Sequence, residues 1–96
     1  MSDTAPPFVI RHNEAELRFD TIVDGHLCVA DYRLSDGVMH MTHTLVPPEL
    51  EGRGIAGALV RVAFAHARTL GLKIDPVCSY VRVYMQRHPE TQDLHA

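Results

Sequence analysis

Between Glu49 and Val60 the sequence runs ELEGRGIAGALV, with glycines at 52, 54 and 57 and Arg53 between the first two. The stretch sits where a strand-like run hands over to a helix-like one. A helix N-terminus offers N–H groups without intrahelical partners and about half a positive charge, which suits an anion. Glycine at 52 and 54 lets the backbone approach such an anion with no Cβ between them; the alternative is a tight turn and nothing more. A P-loop is excluded because no Gly-Lys-Ser/Thr follows. The dinucleotide fingerprint is excluded because it needs a first parallel strand before it. Cys78 precedes a second helical segment, where the helix dipole lowers a thiol pKa; as a lone cysteine it could equally be a small core residue. His40 and His43 are three apart on a strand, a spacing that sends them to opposite faces, so no metal is assigned.

The elements that must position these residues follow from periodicity and turn chemistry. FVIRHN (8–13) reads as a short strand. Residues 15–23 alternate, with Ala15, Leu17, Phe19 and Val23 on one face and Glu16, Arg18 and Asp20 on the other. Asp24-Gly25 is the pair that most readily takes the positive φ angles of a two-residue hairpin, so HLCVADYRL pairs antiparallel with the strand before it. Ser35-Asp36-Gly37 repeats the device, and VMHMTHTLV returns as a fourth strand ending at Pro47-Pro48, with His43 expected on one face with Met39, Met41 and Leu45. The period then becomes helical from Gly54 to Leu70, with Ile55, Leu59, Val62, Ala63, His66 and Leu70 as the apolar stripe and Gly71 as the C-terminal cap. His66 on that stripe is read as structural. LKIDPV must return parallel to the fourth strand, because the helix carries the chain back along the sheet. A last helix spans Ser79 to Arg87, stopped by Pro89. The fold class is thus α/β: an antiparallel four-stranded meander, a helix, a parallel fifth strand and a C-terminal helix.

With 96 residues, 46% hydrophobic and 22% charged, the chain reads as one globular domain over 1–96, with 1–7 and the polar residues 91–96 flexible. A formal charge of -3 argues against nucleic acid as partner, and the strands lack the clustered aromatics of an RNA-binding sheet. The N-terminal MSDTAPPF lacks a basic segment followed by an apolar one, no apolar run has the length of a membrane span, and Cys28 and Cys78 make no disulfide framework. A reducing, cytoplasmic compartment is expected.

Glu51-Gly52-Arg53-Gly54-Ile55-Ala56 resembles the acyl-CoA pyrophosphate loop of the GNAT N-acetyltransferase superfamily, Gln/Arg-x-x-Gly-x-Gly/Ala, departing only at its first position. TLVPPEL resembles the Leu-x-Val-x-Pro that ends that family's fourth strand. Together with RTLGLKIDPVCSYVRVYMQRHPE, these segments make the chain similar to the short, single-domain GNAT-like proteins from residue 9 to residue 90. The resemblance implies acetyl-CoA as cosubstrate. Backbone groups of Thr44, Leu45 and Val46 are then expected to pair with the pantetheine arm, and Gly52, Arg53, Gly54, Ile55, Ala56 and Gly57 to cradle the pyrophosphate. Glu51 brings a negative charge near those phosphates unless it points to solvent. The helical segment after the first strand and the last β-hairpin of larger GNAT enzymes have no counterpart, and the acceptor site is left open with them.

Acetyl transfer to an amine needs a base, donors for the developing oxyanion and an acid for the departing thiolate. The resemblance implies Tyr84 as that acid, with the alternative that it is an apolar rung of the helix alongside Tyr80. His43 is the candidate base, with the alternative of a hydrogen-bonded core histidine. Cys78 either accepts the acetyl group or faces the CoA sulfur. His88, in the Arg-His-Pro-Glu ending, is expected near the Cys78 turn. The expected activity is acetyl-CoA-dependent N-acetylation of a small-molecule or peptide amine; the alternative is a non-catalytic CoA-binding or interaction module. Oligomeric state and acceptor stay open.

Overall fold

A computed structural model describes residues 8–96. Its strands are β1 (Arg11–Asn13), β2 (Arg18–Val23), β3 (His26–Ser35), β4 (Val38–Leu45) and β5 (Lys73–Pro76); its helices are α1 (Ile55–Leu70) and α2 (Ser79–Arg87). They form one five-stranded sheet in sequential order, antiparallel throughout except for the parallel β4–β5 pair. The α/β expectation holds, including both Asp-Gly turns: Asp24, Gly25, Asp36 and Gly37 all have positive φ, between 50° and 77°. No helix among the described residues is long and apolar enough to cross a membrane.

Both helices cover the same face of the sheet. Ile55, Leu59, Ala63 and Ala67 of α1 and Val81 and Met85 of α2 join Phe19, Ala30, Tyr32, Met39 and Met41 in one buried cluster. Phe64 and Tyr84 make an edge-on ring contact between the helices, at 5.5 Å. Leu70 ends α1 exposed rather than on its buried stripe. His66 lies against the rings of His12 and Phe19, a structural place. Among the described residues no helix covers the other sheet face, and Ile22, Leu27 and Leu45 are exposed on it.

Three segments differ from expectation. Phe8–Ile10 precede the first strand instead of forming it. Residues 14–17 form a turn, with the Asn13 side-chain carbonyl accepting the Glu16 N–H and Leu17 at a φ of 55°, so β2 begins at Arg18. Residues 91–96 are not a free polar tail. A 3-10 helix over Pro89–Leu94 buries Thr91 and Leu94, Arg68 grips Asp93 through two hydrogen bonds, and the Ala96 N–H donates to the Ile74 carbonyl at 2.8 Å. The expectation for residues 1–7 falls outside the described residues.

Asp20 is buried on the face without helices, where it accepts hydrogen bonds from Arg11, Arg18 and Asn13. Burial pushes its carboxyl up, but these hydrogen bonds and the Arg11 charge outweigh it and hold the pKa below the usual value. A depressed folded-state pKa stabilises the protein above about pH 4, where the unfolded aspartate is ionised, and that stabilisation is lost as pH falls through the lower folded value. Asp20→Asn should therefore cost about 1–3 kcal/mol in urea unfolding at pH 7 and flatten the fall in stability below about pH 4. An unchanged acid profile would refute the assignment.

Candidate functional site

The last pairs of the β4–β5 ladder are His40 with Asp75 and Met41 with Pro76. Pro76 has no N–H to give to β4. The Val77 N–H turns back to the Asp75 carbonyl at 2.9 Å, and the Cys78 N–H makes the final link, 2.9 Å to the Met41 carbonyl. Past this point the chain leaves β4 to start α2. Among the described residues, the β4 backbone beyond Thr42 has no strand neighbour on that side, and a cleft of about 600 Å³ opens there.

Thr44, Leu45 and Val46 line one wall of this cleft, and Gly52, Gly54, Ile55, Ala56 and Gly57 line its end. Leu50, buried at the close of a 3-10 turn, anchors the connecting loop. Gly52 and Gly54 have φ of 84° and 81°, a region where a side chain is strained, and a Cβ built on either would meet nothing within 4 Å. Gly54 is the N-cap of α1 and supplies no side chain to it; the first internal bond runs from the Ala58 N–H to the Gly54 carbonyl, at 3.1 Å. The N–H groups of Ile55, Ala56 and Gly57 precede that bond. Arg53 is the exception among the expected loop residues: its guanidinium pairs with Asp24 at 2.7 Å, leaving the turn its backbone. Glu51 lies at the exposed rim.

Tyr80 lines the cleft but is absent from the sequence-based set, although its place two residues after Cys78, on the first turn of a helix, was a usable signal. A Cβ on Gly57 would stand 3.5 Å from its hydroxyl, an ordinary contact distance, so the ring lies close against α1 at this glycine. Burial raises the Tyr80 pKa, so the phenol keeps its proton.

Cys78 caps α2 across the split from β4, with its Sγ 3.6 Å from the Thr44 hydroxyl. Burial works to raise its pKa, but the Val81 and Tyr80 backbone at the start of α2 and the Thr44 side chain favour the thiolate, and together they lower it. Cys28 is fully buried in β3, and burial pushes its thiol up.

His43 is not on the face of Met39 and Met41. The register shifts between Asp31 and Tyr32, so that Thr42 is an extra residue; Met41 pairs with Tyr32, whereas His43 pairs with Asp31. The bulge resets the alternation. Thr44 consequently shares the helix side with Met41, and His43 and Leu45 point to the open side. The same bulge corrects the reading of His40 and His43, which lie on one face, not on opposite ones. His40 is held there by Ser35 at 2.9 Å and Asp75 at 2.8 Å. Tyr84 stacks on His88 at 4.0 Å and lines a neighbouring cavity between the helices, not the cleft. His88 ends α2 beside Glu90, far from the Cys78 turn at the opposite end of the helix.

A model of the GCN5-related N-acetyl-transferase family matches residues 18–94, and the chain belongs to that family. Its fold is similar to the solution NMR structure of a GCN5-like protein from Staphylococcus aureus, provisionally assigned as an N-acetyltransferase. That protein is 28% identical, with a TM-score of 0.74 and coverage of 92% of this chain and 87% of the other.

The geometry around the two thiols makes a direct prediction. Cys78 should react with iodoacetamide at pH 7 roughly tenfold or more faster than Cys28, and Thr44→Val should slow it by removing one donor to the thiolate. Equal rates in the folded protein, read by peptide mass spectrometry, would contradict this environment.

Proposed function

We propose that the chain binds acetyl-CoA in the β4–β5 split and transfers the acetyl group to a small-molecule or peptide amine. The observation that carries the reading is the continuity of the cleft, which joins the free edge of β4 to the uncapped N-terminus of α1. Backbone groups of Thr44, Leu45 and Val46 would pair with the pantetheine amides as an added strand does. The N–H groups from Gly52 to Gly57 would receive the pyrophosphate.

The thioester then lies near Cys78. In one route its thiolate attacks the acetyl carbonyl, CoA departs as a thiolate that takes up a proton, and an amine displaces the acetyl group from Cys78. In the direct route the amine attacks acetyl-CoA itself, with His43 as base and Tyr84 as acid. The direct route requires His43 to take a proton from the amine and Tyr84 to give one to the CoA sulfur at a single thioester, from opposite sides of the sheet, so their placement favours the Cys78 route. The same placement keeps a second reading in view, a CoA-binding module without catalysis, since a retained cofactor cleft is not by itself activity. With two free thiols, the proposed setting is the reducing cytoplasm.

Two substitutions test the cofactor assignment by calorimetric titration. Gly54→Val should weaken CoA by well over tenfold, about 1.4 kcal/mol or more. Gly71→Val imposes similar backbone strain at the far end of α1 and should leave affinity unchanged. Glu51→Arg should tighten binding by up to about 1 kcal/mol and make it more salt-sensitive. Unaltered affinity in folded Gly54→Val would remove the loop from the site.

The route is tested with acetyl-CoA and mass spectrometry. The wild type should gain a hydroxylamine-labile acetyl group that Cys78→Ser lacks, and amine acetylation should fall with it. Transfer that persists in Cys78→Ala points to direct attack. CoA binding with no acetylation across an amine and peptide panel establishes the binding module.

A further inference from the structure

A second cavity, of about 290 Å³, lies between α1 and α2. It shares Gly54, Gly57 and Tyr80 with the cleft, so one groove runs from the glycine turn past the Tyr80 ring to the C-terminal half of α2. Arg61 and Arg87 line its far part with His88. Arg61 follows Gly57 by four residues and Arg87 follows Tyr80 by seven, so each lies on the same helix face as the residue that borders both cavities. Both guanidiniums line this cavity with the Tyr80 ring, and their charges oppose the effect of burial on its phenol.

These cations are set apart by what they lack. Arg11, Arg18, Arg53 and Arg68 each pair with an aspartate. Arg82 donates to the Pro76 and Val77 carbonyls. Among the described residues, Arg61 and Arg87 have no ion pair or hydrogen bond. The acidic group at this end, Glu90, faces His88 at 3.5 Å. Glu51 lies on the far side of the shared glycines, at the cleft's rim. Two unneutralised guanidiniums at one small cavity suit a compact dianion that can take paired N–H donors from each, which is the chemistry of a phosphomonoester.

We propose that this cavity is a phosphomonoester site in which Arg61 and Arg87 hold the 3′-phosphate of coenzyme A while its pyrophosphate occupies the glycine turn. The inference rests on the CoA reading above. In coenzyme A a single ribose separates the 3′-phosphate from the pyrophosphate, a spacing comparable with the one helical turn between Gly57 and Arg61. Tyr80 then stands between the two anionic groups as a neutral donor. The site makes the protein selective for the 3′-phosphorylated cofactor over dephospho-CoA, a choice the glycine turn cannot make because both ligands carry the pyrophosphate.

Calorimetric titration of the wild type, Arg61→Ala, Arg87→Ala and the control Arg82→Ala with CoA and with 3′-dephospho-CoA tests this. The wild type and Arg82→Ala should prefer CoA by roughly tenfold or more, and each cavity variant should narrow the preference to about threefold or less while keeping its affinity for dephospho-CoA. Both arginines are exposed, so thermal unfolding should be unchanged. Inorganic phosphate at millimolar concentration should compete with CoA but not with dephospho-CoA. Equal wild-type affinities for the two ligands would overturn the inference and leave the CoA reading intact, and so would a preference that survives both substitutions. Phosphate binding that depends on Arg61 and Arg87 without any CoA preference would also overturn it, because the phosphate would then come from another molecule. If neither nucleotide binds the wild type, the CoA reading falls and this inference falls with it.

Discussion

A proline at the end of a parallel strand governs the functional half of the molecule. Pro76 cannot donate to β4, Val77 spends its N–H on Asp75, and a single bond from the Cys78 N–H to Met41 is the last connection between the two strands. Had the ladder run four residues further, the edge at Thr44 and Leu45 would be consumed and Cys78 would lie inside a sheet. Instead the chain turns, and the first turn of α2 is set beside the open stretch of β4. The position of Tyr80 over Gly57, and with it the partition of the groove into two cavities, follows from where that turn occurs.

The bulge at Thr42 is the complementary device. It lets Met39 and Met41 fill the core under the helices and still presents Thr44 to the cleft, three positions after Met41 instead of two. The cost is that His43 is turned through the sheet. Cys78 and Thr44 therefore meet on the helix side, whereas His43 and Asp31 belong to a face where Ile22, Leu27 and Leu45 are also uncovered.

Much of this was legible in the sequence because it is local. Asp-Gly pairs specify hairpins through their own φ preferences, the change of period at Gly54 marks the helix, and Gly52 and Gly54 have the left-handed backbone that their identity suggested. What escaped reading depends on a partner strand or helix. A bulge is a count of two residues against one on the neighbouring strand, and nothing in MHMTHTLV shows which residue is extra. Alternation placed Asp20 on the polar side but could not reveal that Arg11 and Arg18 roof it over. The tail looked free since TQDLHA is polar, yet its anchors are Arg68 and Lys73, remote in the chain. His88 was misplaced for a related reason: helical rise separates it from Cys78, and its actual neighbour is Tyr84, one turn back.

That anchored tail has a bearing on how the molecule behaves in a crowd of its own kind. An open sheet ends in strands whose outward N–H and C=O groups can recruit another chain, and every sheet protein must blunt them. At the β5 side His95 bridges to Ile74, and Ala96 uses the Ile74 carbonyl that an incoming strand would seek. At the β1 side the strand is only three residues long and carries the charge of Arg11. The residues after α2 thus work as a stopper against strand-by-strand growth. Polypeptide joined beyond Ala96 would leave from the sheet's margin, where it could lift the stopper and leave β5 open to fibrillar stacking.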